Sequence, residues 1–128
     1  MTASDGSVGE RESLLLRGVI DMCVLALLAV KPNHAYGLVQ QLQGQGFAQT
    51  SYGTVYPLVT RLRRQGLIQQ ESHPSPGGPA RNVLTLTRAG HAALRDWRQQ
   101  WEDSNHRVAA ILDQTPRSDE ATERKAHV

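Results

Sequence analysis

Three arginines, Arg61, Arg63 and Arg64, stand near the end of one amphipathic stretch, and Ser51, Tyr52 and Thr54 stand at its start. Guanidinium groups neutralise phosphates, while hydroxyls and an aromatic ring contact base edges with modest specificity. Between them Val55, Leu58, Val59 and Leu62 recur at i, i+3, i+4 and i+7, which sets four branched side chains on one face of a helix. Thr50 or Ser51 can cap its amino end, Gly66 suits the position after its last turn, and basic residues there favour the negative end of the helix dipole. Pro57 is awkward, because its ring crowds the carbonyl of Gly53 and it has no N–H, so an irregular first turn is expected. A basic helix face alone is usually a solvated surface. Its meaning depends on the elements that hold it.

Bond-making chemistry is not written into the chain. His34, His73, His91, His106 and His127 are scattered without paired spacing or cysteine partners, so no metal site is expected. Ser, His and Asp occur, but no nucleophile elbow places them, and no glycine-rich phosphate loop follows a strand. No catalytic residue and no cofactor are therefore assigned. The single cysteine, Cys23, excludes an intramolecular disulfide framework and reads as a small buried side chain, a redox-sensing thiol being the alternative. The apolar run from Val19 to Val30 contains Asp21 and is too short to span a membrane. With no basic start and apolar stretch of a signal peptide, a cytoplasmic location is expected.

The 128 residues and a 39% hydrophobic fraction fit one soluble domain. A formal net charge of +2 names no partner, but its distribution does more: Arg61, Arg63, Arg64 and Arg81 face only Glu71 between Ser51 and Arg81. Residues 1–12 and 114–128 are polar and read as disordered ends. Leu14 to Val30 reads as a first helix, apolar nearly all round from Val19 and hence buried. Asn33 caps a second, His34 to about Gln43, with Tyr36, Val39 and Leu42 three apart and facing inward. Gly44 and Gly46 break it, and Phe47 packs under the turn. The arginine-bearing helix is third. Two short strands follow, Leu67 to Ser72 with Leu67 buried, and Asn82 to Thr87 with Leu84 and Leu86 alternating against threonines. His73 to Ala80 holds three prolines and two glycines and reads as a flexible hairpin tip without ladder pairing.

Helix, helix, helix, strand, loop, strand is the order of a winged helix-turn-helix, here over residues 13–87, in a mainly α fold with one small antiparallel hairpin. The third helix would enter the major groove of double-stranded DNA, with Arg81 at the base of the wing. Tyr56, with Tyr36, either packs on the core and offers its hydroxyl to a phosphate or is simply buried. Thr87 can cap a fourth helix across 88–113, in which Leu94, Trp97, Trp101, Ser104, Val108 and Ile111 follow the 3.5-residue repeat of a coiled-coil seam. Such a seam pairs two copies as a homodimer, the alternative being a monomer whose helix folds back. Trp97 and Trp101 either fill the dimer centre or form a slot for a planar aromatic effector, whose binding would change operator affinity.

The motifs together suggest a family. His34-Ala35-Tyr36-Gly37, Gly53-Thr54-Val55-Tyr56-Pro57 with Arg61-Leu62, Gly66-Leu67-Ile68, and Leu86-Thr87-Arg88-Ala89-Gly90 make residues 14 to 112 similar to the PadR family of bacterial transcriptional regulators. The resemblance implies a winged-helix homodimer, usually a repressor, with inverted-repeat operators and a dimer made by the carboxy-terminal helices. Relatives with a short single-helix tail include multidrug sensors in which a tryptophan stacks on flat drugs, and Trp101 looks like its counterpart. Val83-Leu84 stand where aromatic residues are common in the second wing strand. The competing reading is a winged-helix adaptor that holds a protein and not DNA.

Overall fold

Gly18 divides the first apolar run. In the computed structural model, which describes residues 9–11 and 14–116, residues 14–17 are helical and the chain then turns. The N–H groups of Gly18 and Val19 donate to the carbonyls of Leu15 and Leu16, at 3.2 and 3.0 Å, and α1 begins afresh at Ile20 (Ile20–Val30). One continuous helix from Leu14 was expected; a glycine, costly in a helix interior, marks the break instead. Helix α1 buries Ile20, Val24, Leu25 and Leu28 but leaves Val30 86% exposed, so it is covered on one side and not all round. Most of the two ends expected to be disordered lies outside the described residues.

Helix α2 (Ala35–Gly44) starts one residue later than its sequence suggested. His34, not Asn33, is the cap, its Nδ1 accepting the Gly37 N–H at 3.0 Å. Asn33 is occupied elsewhere. Its backbone exchanges two hydrogen bonds with Leu84 (3.2 and 2.8 Å), its Oδ1 accepts the His34 N–H at 2.8 Å, and its Nδ2 donates to Gln41 Oε1 at 3.1 Å. The asparagine thus ties the start of α2 to the hairpin. A Cβ at position 37 would run into this amide, so any larger residue there displaces the Asn33 side chain. The inward face is Leu38, Val39 and Leu42, while Tyr36 is 57% exposed. Residues three apart drift by about 60° per step around a 3.6-residue helix, which carries Tyr36 off the face that Leu42 and Val39 share. Phe47, beyond the helix, is half-buried, and its N–H donates to the Leu42 carbonyl at 3.0 Å.

Helix α3 (Tyr52–Arg64) buries Val55, Leu58, Val59 and Leu62, the stripe expected of it. Ser51 holds the N-cap position, yet neither candidate cap bonds a backbone N–H. The Ser51 hydroxyl lies 3.3 Å from that of Thr54, and Thr50 is buried with no hydrogen-bond partner for its hydroxyl among the described residues. The Ser51 carbonyl instead accepts from both Thr54 and Val55 (3.1 and 3.0 Å), a tight first turn. The helix continues through Pro57 unbroken. Gly53, whose carbonyl the proline leaves without its helical donor, is exposed, so water can satisfy it. At the far end Gly66 takes φ +77°, and the Gly66 and Leu67 N–H groups donate to Arg63 and Leu62 carbonyls.

The hairpin is longer than its sequence suggested. Strands β1 (Ile68–Ser75) and β2 (Gly78–Leu86) pair antiparallel from Ile68 with Leu86 to Ser75 with Gly78, with an irregularity between His73 and Ser75. Only Pro76 and Gly77 remain as the turn, Gly77 at φ +71°. Prolines 74 and 79 are tolerated because alternate N–H groups of a two-stranded ribbon point away from the partner, and the irregularity absorbs the rest. Ile68, not Leu67, is the buried residue at the start of β1; Leu67 is half-buried. Leu84 completes the core beneath α1, which packs on β2 and on α3.

Thr87 caps α4 (Arg88–Leu112) as expected, its hydroxyl accepting the Gly90 N–H at 3.0 Å. The same hydroxyl donates to the Gly66 carbonyl at 2.7 Å, and the Thr87 N–H donates to Leu67 at 3.1 Å. A Cβ on Gly90 would collide with the Leu67 carbonyl oxygen. The glycines that close α3 and open α4 are therefore one joint. The chain divides into two units, Met1–Arg95 and Asp96–Val128, and α4 crosses the boundary.

Candidate nucleic-acid interface

The flank of α3 next to its apolar stripe carries Tyr52, Tyr56 and Arg63. The two tyrosine rings stack, centroids 5.3 Å apart at 26°, and both are about half exposed, so Tyr56 is not a core residue. Tyr36 from the start of α2 and Arg81 from β2 join them around a groove of about 470 Å³. Its floor is Val59 and Leu84, and its walls include His34, Thr60, Gln70 and Asn82. Four elements, α2, α3, β1 and β2, therefore converge on one surface. The Asn33 bridge to Leu84 and the His34 cap hold the two sides of that surface together.

The remaining candidates face elsewhere. Thr54 and Arg61 line a second groove, of about 380 Å³, on the other flank of α3 with Leu16, Arg17 and Pro57. Arg64 shares a shallow surface with Arg63, Gln69 and Gln70 beside β1. Ser51 is exposed at the start of the helix. One helix thus presents two flanks with different chemistry, tyrosines and arginines on one, a hydroxyl and an arginine on the other.

Arg61 stands 4.0 Å from Asp21, a long, partly exposed and weak ion pair. Arg63, Arg64 and Arg81 have no carboxylate within 4.0 Å among the described residues, which leaves their charge uncompensated at the surface. Glu71 on the hairpin is engaged by its own strand, accepting from Gln69 at 3.2 Å and lying 3.1 Å from His73 Nε2. Burial, and then the nearby Asp21 carboxylate, push the Cys23 thiol above its usual range, so it stays protonated and poorly nucleophilic. That favours the small apolar role over a redox sensor.

The sequence did not single out His34, Gln70, Asn82 or Arg17 as lining these grooves. Gln70 and Asn82 were accessible in principle, because a hairpin register pairs Gln70 with Leu84 and Ser72 with Asn82 on one face. Of the seam on α4, Leu94 is already buried in the first unit and Trp97 half-buried. From Arg98 to Pro116 every residue is exposed, including Trp101, Ser104, Val108 and Ile111. Among the described residues no cluster of His, Cys, Asp and Glu could hold a metal ion, and no single helix is long and apolar enough to cross a membrane.

Comparison with known proteins places this architecture. The family model of the PadR-like transcriptional regulators matches residues 24–96. A transcriptional regulator of Mycobacterium tuberculosis is 34% identical over 87 residues, which are 68% of this chain and 79% of that protein. The crystal structure of a PadR family transcriptional regulator from Eggerthella lenta superimposes with a TM-score of 0.79 at 31% identity, covering 90% of this chain and all of that one. A Streptococcus transcriptional regulator gives 0.71 at 37% identity, covering 77% and 96%. The family-model match runs from α1 through the hairpin into α4 and spans the whole lining of the first groove, while Leu16 and Arg17 of the second precede it. The chain therefore belongs to the PadR-like family of transcriptional regulators, which act by binding DNA and not as enzymes.

Proposed function

We propose that this protein is a homodimeric repressor of the cytoplasm that binds an inverted-repeat operator and is released by a small planar aromatic ligand at the paired carboxy-terminal helices. The observation that carries the reading is the groove in which Tyr36, Tyr52, Tyr56, Arg63 and Arg81 meet, with uncompensated guanidinium groups on two of its elements. A phosphate backbone is the complement of such a surface. Arg61, Arg63, Arg64 and Arg81 serve phosphates, with Tyr36 and Tyr56 offering hydroxyls beside them. Ser51, Tyr52 and Thr54, at the amino end of α3, are the base-reading positions, as the docking of a recognition helix by its first turns requires.

Support for the dimer comes from α4. Trp101, Val108 and Ile111 project from one face of a helix that is exposed throughout from Arg98. Large apolar side chains at coiled-coil spacing are normally covered, and a second copy supplies the matching face. Two such helices bring tryptophans from both copies to a two-fold axis, where a flat aromatic molecule can stack. A ligand bound there releases the operator only if it favours a different spacing of the two α3 helices.

The test is selection of bound fragments from the source genome, followed by footprinting. An inverted repeat protected by a dimer is the expected result. An intact dimer that shifts no duplex at low salt contradicts the reading and leaves the protein-binding adaptor in its place. Repeating the selection with flat aromatic compounds while following tryptophan fluorescence tests the ligand; absence of quenching by any of them removes that part alone.

A further inference from the structure

The histidine at the head of α2 is held in one tautomer by its own backbone. A backbone N–H can only donate, so the 3.0 Å bond from Gly37 requires a lone pair on His34 Nδ1. In the neutral ring the proton is then on Nε2. That nitrogen, on the far edge of the ring, has no hydrogen-bond partner among the described residues, and the side chain lines the groove shared by Tyr36, Arg63 and Arg81. The backbone of His34 is restrained as well, because Asn33 Oδ1 accepts its main-chain N–H and Asn33 is itself fixed to Gln41 and Leu84. A neutral donor is thus preset on the rim of a cationic groove.

We propose that His34 contacts the DNA backbone, its Nε2–H donating to a phosphate oxygen of the strand seated in this groove while Nδ1 continues to cap α2. The proposal rests on the reading of that groove as the DNA surface. Its distinguishing property is the absence of charge. Arg63 and Arg81 contribute by displacing counterions, whereas a neutral imidazole adds a hydrogen bond without displacing any. Protonating the ring would place a proton on Nδ1 and break the bond to Gly37. The side chains that line the groove with it, Tyr36 on its own helix, Tyr52, Tyr56 and Arg63 from α3 and Arg81 from β2 among them, carry no carboxylate.

Replacing His34 with serine separates the two roles, since a serine hydroxyl can accept the Gly37 N–H but is too short to reach across the groove. For H34S we expect an unchanged thermal transition, an operator affinity lower by about tenfold per half-site, and a salt dependence equal to that of the wild type. Affinity within twofold of wild type overturns the proposal while leaving the DNA reading intact. A salt slope that falls along with affinity also overturns it, by showing that the ring acts as a cation. Nitrogen-15 shifts of the imidazole in the wild-type protein give a check independent of how any variant folds. Protonation at Nε2 alone, free and on the operator, is expected; a doubly protonated ring on the operator contradicts the proposal. If the wild type binds no duplex at all, the underlying reading fails and the proposal with it.

Discussion

In α3 the apolar stripe is closed: Val55 and Leu62 are 0% exposed. In the part of α4 beyond Asp96, Trp101 is 43% exposed, Val108 54% and Ile111 63%. Both stripes are regular, and the difference lies in what the same chain offers as cover. Helices α1 and α2 and strand β1 of the hairpin pack against α3, so its stripe determines a fold and frees its other flanks for polar work. No second element of the Asp96–Val128 unit covers the α4 stripe among the described residues. A stripe of the first kind stabilises a monomer, and one of the second kind stabilises an assembly.

The contrast is broken most severely by emptying the closed stripe. Leu62→Ala should cost about 3 kcal/mol of stability, measured by chemical denaturation, with the loss independent of protein concentration. Trp101→Ala, on the open stripe, should leave the first unit folded yet weaken dimerisation by about thirtyfold, read by sedimentation over a range of concentrations. If Trp101→Ala instead destabilises the protein equally at every concentration, the second stripe belongs to the monomer and the contrast collapses.

The polar flanks of α3 supply a finer version of the test. Arg63→Ala should weaken binding of every duplex and lower the salt slope of the dimer by about 2, one phosphate in each half-site. Thr54→Ala should relax preference between operator variants with little loss of non-specific affinity. Equal effects on both readouts would mean that Arg63 and Thr54 do not divide the two roles as assigned. The smallest effect concerns Cys23. Its folded thiol ionises at higher pH than an unfolded one, so the associated stability is intact below the usual thiol pKa and declines as pH rises through and above it. Alkylation at pH 8 should be slow in the folded protein and fast in denaturant; equal rates contradict the burial.

Most of the element order was legible, because it is carried by local signals: the α3 stripe, the glycine after it and the threonine cap of α4. What escaped depended on contacts across the chain. Asn33 looks like a cap from its type, but its backbone is taken by Leu84, fifty-one positions along, and the cap passes to His34. Prolines 74 and 79 read as breakers because the sequence does not show which N–H groups a two-stranded ribbon leaves unpaired. The spacing of three that points Tyr36 inward drifts around the helix, and the need for glycine at position 90 comes from the Leu67 carbonyl packed against it, a contact between residues distant in sequence. For the site, sequence supplied the residue types but not their partition. It grouped Arg61 with Arg63, and the two residues' difference of about 200° around α3 sets them on opposite flanks.

The central claim is that the arginines of two paired winged units engage phosphates. Binding of the selected operator across a range of salt concentrations tests it most directly. Arg61, Arg63, Arg64 and Arg81 in each of two copies predict a slope of about −7 in log affinity against log salt. A slope near zero, with the dimer intact, would contradict the account.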